Sequence, residues 1–396
     1  MTGPLTGITV IDLSRALAGP HATMMLGDQG AHVIKIENPK GGDDTRGWGP
    51  PFVQPPNAAR ESTYFLSANR NKRSIALDLK SAEGAETLRR LVRSADVLVE
   101  NFRVGVLDRL GFSVAELHEL NPRLVILSIS GFGHDGPEAS RAGYDQIAQG
   151  EAGLMSLTGS GPDDPQKVGV PIADILAGMY GAYGVLAALR ERDRTGRGKV
   201  VRTSLLAAVV GVHGFQGTRW TVAGEVGRAG GNHHSSISPY GLFRCRDGAV
   251  QIAVGSEALW ARFCDAFGLD PARPGMATNG ERVANSAEVT AMVEKVFADY
   301  DAAELLDRLR EAKIPAGEVK SLDAVYASEQ VRSQGLLIEV DHATLGRITL
   351  PGPPLRFFDP ADGTETTRRE HIAPPVLGGD EASVRAWLDE QAGAGE

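Results

Sequence analysis

Along the first two hundred residues the apolar positions follow two alternating patterns. Short β-branched runs read as strands: "ITVIDLS" (8–14), "HVIKIE" (32–37), "SIALDL" (74–79), "DVLVEN" (96–101) and "LVILSIS" (124–130). Between them lie stretches with helical spacing. "GPHATMMLGDQG" (19–30) is closed by a glycine, and "SAEGAETLRRLVRSA" (81–95) opens on Ser81 with an acid in its first turn, the start of a capping box. Strands separated by helices predict parallel pairing through right-handed crossovers, hence an α/β fold with an open, mostly parallel, Rossmann-like sheet. Such sheets bind ligands beyond the carboxyl ends of their strands. That singles out 14–19, 37–40, Lys80, 101–103 and the residues from Gly131 onward.

From 172 to 220 the pattern turns helical, interrupted by a basic turn, "RDRTGRGKV" (192–200). A Gly- and Ser-rich loop fills 221–239. "YGLFRCRDGAVQIAV" (240–254) then reads as a β-hairpin turning at Asp247-Gly248. Helices are predicted over 256–267, 286–298 and 302–312. The resulting organisation is a large α/β domain over 1–200, a helical linker over 201–225, and a smaller α+β domain over 226–325. Residues 326–396 return to the large domain through "GRITLPGPPLRF" (346–357) and a last helix.

Composition narrows the function classes. Hydrophobic residues make up 42% and charged residues 23%, ordinary for a globular chain. A net charge of −9 argues against nucleic-acid binding, which needs a basic face, but leaves room for a local basic pocket. Cys245 and Cys264 form no CxxC, which points to reduced thiols and a cytoplasmic location. The N-terminal segment lacks a signal-peptide pattern, and no run of 18 unbroken apolar residues occurs, so no membrane span is expected. The 48 glycines in 396 residues are spread along the chain and imply many tight turns.

Several chemistries have no motif here. GxGxxG is missing after the first strand, as are GxxxxGK[ST], GxSxG and HExxH. His233 and His234 have no third ligand at suitable spacing, so no metal is expected. One carboxylate stands out. Asp174 lies in "VGVPIADILAGMYGAYGVLAALR" (168–190), just after a proline and ahead of a helix-like run. As an N-cap it accepts N–H bonds from the first turn. As a nucleophile it is held ionised by the same N–H groups and the helix dipole, with Gly169, Ala173, Ala177, Gly178 and Gly181 leaving space for a substrate. The segment by itself leaves both readings open.

Blocks elsewhere bear on the choice. "GPLTGITVIDLSRALAGPHATMMLGDQGAHVIKIENPKGGDDTRGW", "NRNKRSIALDLK", "ADVLVENFRVGVLDRLGF", "NPRLVILSISGFGHDGP", "AGYDQIAQGEAGLMSLTG", "VGVPIADILAGMYGAYGVLAAL" and "TGRGKVVRTSLLAAV" occur in this order. They resemble the class III CoA-transferase family, the formyl-CoA and carnitine CoA-transferase group, and the likeness runs from residue 3 to about 360. The resemblance implies that Asp174 is the nucleophile and that CoA moves from an acyl-CoA donor to a small carboxylic acid. The route it implies runs through a mixed anhydride and then an aspartyl-CoA thioester. CoA is a substrate on this reading, and no tightly bound cofactor is implied.

The resemblance also carries over contacts. Ala16, Leu17 and Ala18 match a pantetheine loop, Asn101 and Phe102 a second contact pair, and Arg109 a phosphate-side cation. Leu77 and Lys80 map near adenine and ribose. Arg141 is a further phosphate candidate, and Tyr144 with Asp145 forms the family's pair near the nucleophile. Asn38 replaces an arginine that some members carry, with Lys40 as compensation. Gly230, Gly231 and Asn232 fall where the family has a mobile glycine loop. "HHSSISPYG" (233–241) is expected to line the acid pocket and to favour a dicarboxylate. The terminal "VLGGDEA" departs from the family's usual ending. An interlocked homodimer is also implied. Two rivals share the scaffold: an α-methylacyl-CoA racemase and a non-catalytic acyl-CoA-binding protein. The racemase needs two acid/base groups and carries a histidine where this chain has Tyr144, a poor proton shuttle at neutral pH. The binding protein predicts loss of the nucleophile, which is retained.

Overall fold

The computed structural model describes residues 3–393. They divide into two compact units. The first holds the chain to Leu154, Val168–Ala223 and the chain from Glu329; the second holds Met155–Lys167 and Gly224–Ser328.

The first unit is built on a parallel sheet. Among the described residues it has six strands: β1 (Thr9–Asp12), β2 (His32–Glu37), β3 (Lys72–Ala76), β4 (Val97–Glu100), β5 (Val125–Ser130) and β6 (Val200–Ser204), in the order β3-β2-β1-β4-β5-β6. Every pairing is parallel, with Val10 opposite Val33 on one side and Val97 on the other. The central strands β1, β2, β4 and β5 are buried along nearly their whole length because helices cover both faces. Alternate residues feed separate cores. Val10, Val97, Val99, Val125 and Leu127 join one cluster with Ala22, Leu26, Ala177, Val185 and Val209. Ile11, Leu98 and Ile126 join the other with Leu88, Leu91, Val92, Phe112, Val384 and Leu388. The first cluster holds α1 (Ala18–Asp28) and the long α5 (Ile172–Thr195); the second holds α3 (Ala82–Arg93) and the C-terminal α11 (Glu381–Gly393).

Three sequence expectations need correction. β6 occupies residues read as a basic turn and the start of the helical linker 201–225; helices α6 (Leu205–Gly211) and α7 (Gly214–Ala223) follow it. β3 begins two residues earlier than expected, on Lys72, which is fully buried against Asp12. The capping box at Ser81 is half made: Ser81 accepts from Gly84 N, but position N3 is that glycine and has no side chain to return the bond. Separately, α5 has the length and apolar composition of a membrane-crossing helix. Here it lays Ala173, Ala177, Gly181 and Val185 against α1 and the sheet, as the core helix of a globular unit does.

The tail closes on the sheet edge. Asp380 accepts from Ser74 N at 2.9 Å and Glu381 from Ala76 N at 3.4 Å, which fixes α11 beside β3. Two antiparallel strands, Leu337–His342 and Gly346–Pro351, precede it.

The second unit carries the expected hairpin, Tyr240–Arg244 against Ala249–Ala253, with Ala316–Gly317 as a third strand. Helices α8 (Glu257–Phe267), α9 (Ser286–Phe297) and α10 (Ala302–Glu311) pack over it around Phe243, Trp260, Phe263, Phe297 and Leu309.

Candidate active site

The chain runs from β1 to β2 to β3 on one side of the sheet, then returns to β4 on the other side of β1. The carboxyl ends of β1 and β4 therefore flank the point where strand order reverses, the position where open α/β sheets bind ligands. Residues 14–18 leave β1 there, and Asn101 and Phe102 leave β4. Asn101 joins the two: its Oδ1 accepts from Arg15 N at 2.9 Å and its Nδ2 donates to Arg15 O at 2.7 Å. Glu100 Oε2 accepts from Phe102 N at 2.8 Å and sets the next residue.

A cavity of about 250 Å³ opens beside this junction, walled by Asn38, Leu77, Lys80 and Phe102 together with Arg15 and Lys40. Four of the sequence candidates thus line one space. Lys40 and Lys80 are exposed and have no ion-pair partner among the described residues, whereas Arg15 pairs with Asp44 at 3.2 Å. Leu77 and Phe102 supply apolar wall, and Lys40 and Lys80 supply positive charge in a lining that also holds Asp44 and Asp78. Arg109 stands exposed at the end of the short helix Val106–Arg109, next to Leu110 of the cavity wall. Arg141 is outside this group. It lies over the Phe132 ring, held by Glu138 at 2.6 Å and Glu151 at 2.5 Å, so its charge is already matched.

Asp174 is reached through α5. Its position in the helix excludes the capping reading. The N-cap is Pro171, with no side-chain bond, and Asp174 is the third helical residue. The cap comes from elsewhere. Asp145, first residue of α4 (Asp145–Glu151), accepts from Ala173 N at 2.8 Å and from Asp174 N at 3.3 Å. Gln149 Nε2 donates to its other oxygen at 2.7 Å and Gln149 Oε1 accepts from Val168 N at 2.9 Å, locking the start of α5. Asp145 therefore takes the N–H groups that the sequence reading gave to Asp174. The consequence is opposite to that reading: burial, with the Asp145 charge beside it, pushes the Asp174 carboxyl up to about 7. Its carboxylate accepts no hydrogen bond among the described residues.

Two close approaches assemble this corner. A Cβ on Gly178, one turn beyond Asp174, would come within 2.7 Å of Ala18 O, so the loop after β1 lies against the same face of α5 as Asp174. A Cβ on Gly143 would fall 2.4 Å from Gly131 Cα, so the chain leaving β5 touches the chain entering Tyr144 and Asp145. Tyr144 precedes α4 with its side chain exposed.

Sequence reasoning missed Tyr64 and Trp48. Tyr64 lies on α2 (Thr63–Ser67) and meets Trp48 edge to face at 5.1 Å. Burial, then the charges of Asp174, Asp145 and Asp43, push the Tyr64 phenol up to about 12, which brings it within the field of the nucleophile candidate. Nothing in the spacing of these aromatics marks them.

Beneath the loop lies a buried ionic network. Lys72 Nζ contacts Asp12 at 3.0 Å, and Lys35 Nζ contacts Asp43 at 2.9 Å, all four side chains fully buried. Burial opposes the ionised Asp12, yet Lys72 and Lys35 hold it down to about 2. Burial brings Lys72 down to about 8.

Gly230, Gly231 and Asn232 belong to the second unit. There Ala229 N donates to Ser156 O and Gly231 N to Gly159 O, both at 2.9 Å, with Gly231 at φ +69°.

Known proteins place the chain. Residues 5–381 match the profile of CoA-transferase family III. A succinate–glutarate CoA-transferase of Agrobacterium fabrum is 40% identical over 98% of this chain and 96% of its own length. Succinyl-CoA:glutarate CoA-transferase of Mus musculus is 38% identical, over 95% and 84%. The crystal structure of a CaiB/BaiF family protein from Brucella suis superposes with a TM-score of 0.85 at 38% identity, covering 98% of this chain and all of the other. The chain belongs to CoA-transferase family III, and is a CoA-transferase by that membership.

Proposed function

We propose that the protein transfers CoA from an acyl-CoA thioester to a free carboxylic acid through covalent intermediates on Asp174. The carboxylate attacks the donor carbonyl, giving a mixed anhydride and CoA thiolate. The thiolate attacks the aspartyl carbonyl, forming aspartyl-CoA thioester and releasing the donor acid. The acceptor carboxylate attacks that thioester, and the thiolate then takes the acyl group and frees Asp174. Charge and atoms balance with no other reactant. The observation that carries this is the state of Asp174: unbonded, half-buried and close to neutral pKa, so it is ionised in part at pH 7 yet poorly solvated, as a nucleophile needs to be. Asp145 keeps the helix start rigid without competing for the acyl group.

CoA is assigned to the cavity beyond β1, β2 and β4, with Lys40 and Lys80 toward its phosphates and Ala16, Leu17 and Ala18 leading the pantetheine arm toward Asp174. Succinyl-CoA as donor and a C4–C5 dicarboxylate as acceptor are the substrates the relatives' names favour. The chain acts as a homodimer on this reading, supported by an exposed apolar row on α5.

The test is a trapping experiment. Wild type incubated with succinyl-CoA and hydroxylamine is expected to yield a hydroxamate at Asp174, located by peptide mass spectrometry. Asp174→Asn is expected to lose at least 1,000-fold in exchange between succinyl-CoA and glutarate, an order of magnitude set by removal of a covalent nucleophile. Full exchange in Asp174→Asn, or a hydroxamate elsewhere, overturns the assignment.

A further inference from the structure

Ala16 lies at the tip of the loop between β1 and α1, and its φ is +64°, in the left-handed region where a residue with a Cβ is strained. Something must hold it there. Three buried or junction groups grip three consecutive residues. Lys35 Nζ donates to Ser14 O at 2.8 Å. Asn101 bonds both the N–H and the carbonyl of Arg15. Asp43 Oδ1 accepts from Ala16 N at 3.1 Å, while its Oδ2 is ion-paired with Lys35 at 2.9 Å. Asp43 is itself fixed: its N–H donates to Glu37 Oε2 at 2.9 Å, and Thr45 N and Oγ1 donate to its Oδ1 at 3.0 and 2.8 Å.

We infer that the buried Lys35–Asp43 pair is a clamp that positions the CoA loop, holding Ala16 in its left-handed conformation so that residues 16–18 run from the cavity to Asp174. The ion pair is closed to solvent, and a charge pair of that kind is weak evidence for added stability. Each partner reaches the loop, one at its start and one at its tip, so the pair couples both anchor points. Lys35 and the Thr45 hydrogen bonds lower the Asp43 pKa against the cost of burial, which favours the carboxylate. Both are positioning residues; neither touches the reacting atoms. The inference rests on the reading that the cavity holds CoA.

The experiment measures CoA affinity by calorimetry alongside thermal stability. Asp43→Asn is expected to weaken CoA binding at least tenfold and to raise KM for succinyl-CoA more than it lowers kcat. Glycine adopts positive φ without strain. Ala16→Gly added to Asp43→Asn is therefore expected to recover at least half of the loss on a logarithmic scale, without restoring thermal stability. A merely structural role for Asp43 predicts no such rescue. Thr45→Val removes another partner of Asp43 but leaves the Ala16 bond, so it is expected to lower Tm with CoA affinity unchanged. Should Asp43→Asn fail to fold, Ala16→Val tests the same point without disturbing the buried pair, and is expected to weaken CoA binding to a similar degree. Lys80→Ala separates the two ideas. CoA binding weakened in Lys80→Ala but within twofold of wild type in both Asp43→Asn and Ala16→Val overturns the clamp. Binding unchanged in Lys80→Ala but weakened in Asp43→Asn, with glycine rescue, upholds the clamp and overturns the nucleotide reading of the cavity.

Discussion

At the scale of single residues, the proposed role of Asp174 ties activity and stability to one ionisation. Its proton is held to about pH 7, so on the proposed mechanism the free enzyme gains its nucleophile as pH rises through that value. The expected kcat/KM profile climbs between pH 5 and about 7.5 and then levels; a flat profile over that range contradicts the assignment. Stability runs the other way. The folded chain keeps this proton to higher pH than the unfolded chain, whose carboxyl titrates near 3.8. The folded state thus binds more protons between about 4 and 7, and stability falls as pH rises across that window. Above it the penalty is complete, roughly 1–3 kcal/mol once solvent screening at a half-buried site is allowed for. Asp174→Asn is therefore expected to raise Tm at pH 8 and to change it little at pH 4, read by calorimetry. The sequence singled out Asp174 but not its protonation. Position after a proline showed a carboxylate at a helix start; that Asp145, 29 residues earlier, takes the N–H groups depends on how α4 meets α5.

At the scale of elements, legibility followed exposure of the pattern. Strands buried on both faces, such as Val125–Ser130, appear as unbroken apolar runs. β6 did not, because it is short, half-buried and interrupted by the exposed Arg202 after a basic turn, so little of its period shows. The start of β3 was hidden for the opposite reason: Lys72 looks like surface, and only its partner Asp12 explains its burial. The contact between α1 and α5 was also invisible, although its requirement is a single glycine. Gly178→Ala places a methyl 2.7 Å from Ala18 O and 3.1 Å from the His21 ring, which the backbone must yield to accommodate. The expected cost is about 1–3 kcal/mol in urea unfolding. Because Ala18 ends the loop proposed to lead CoA toward Asp174, kcat is expected to fall at least tenfold as well. A stable variant with normal kcat would separate the α1–α5 approach from catalysis.

At the scale of the whole molecule, the chain leaves the first unit at 155–167 and returns, a crossing that no change of composition marks. Met179, Tyr180, Tyr183 and Leu186 follow one another along α5 at helical spacing and are 40–71% exposed, with Tyr183 at the top of that range. Val210, Val212, Phe215, Trp220 and Val222 of the following helical segment are exposed as well. A row of exposed apolar side chains of this kind on a chain with net charge −9 is a mark of an interface. A second copy is the partner that the family resemblance implies, and the row lies on the helix that carries Asp174, five residues beyond it at Met179. Light scattering is expected to give twice the 42.0 kDa chain mass. Tyr183→Asp places a charge in the middle of the row, away from the buried face of α5, and is expected to shift the protein toward the monomer. If the site is complete only in the dimer, exchange activity falls in proportion to the monomer fraction; a fully active monomer would confine the apolar row to another role.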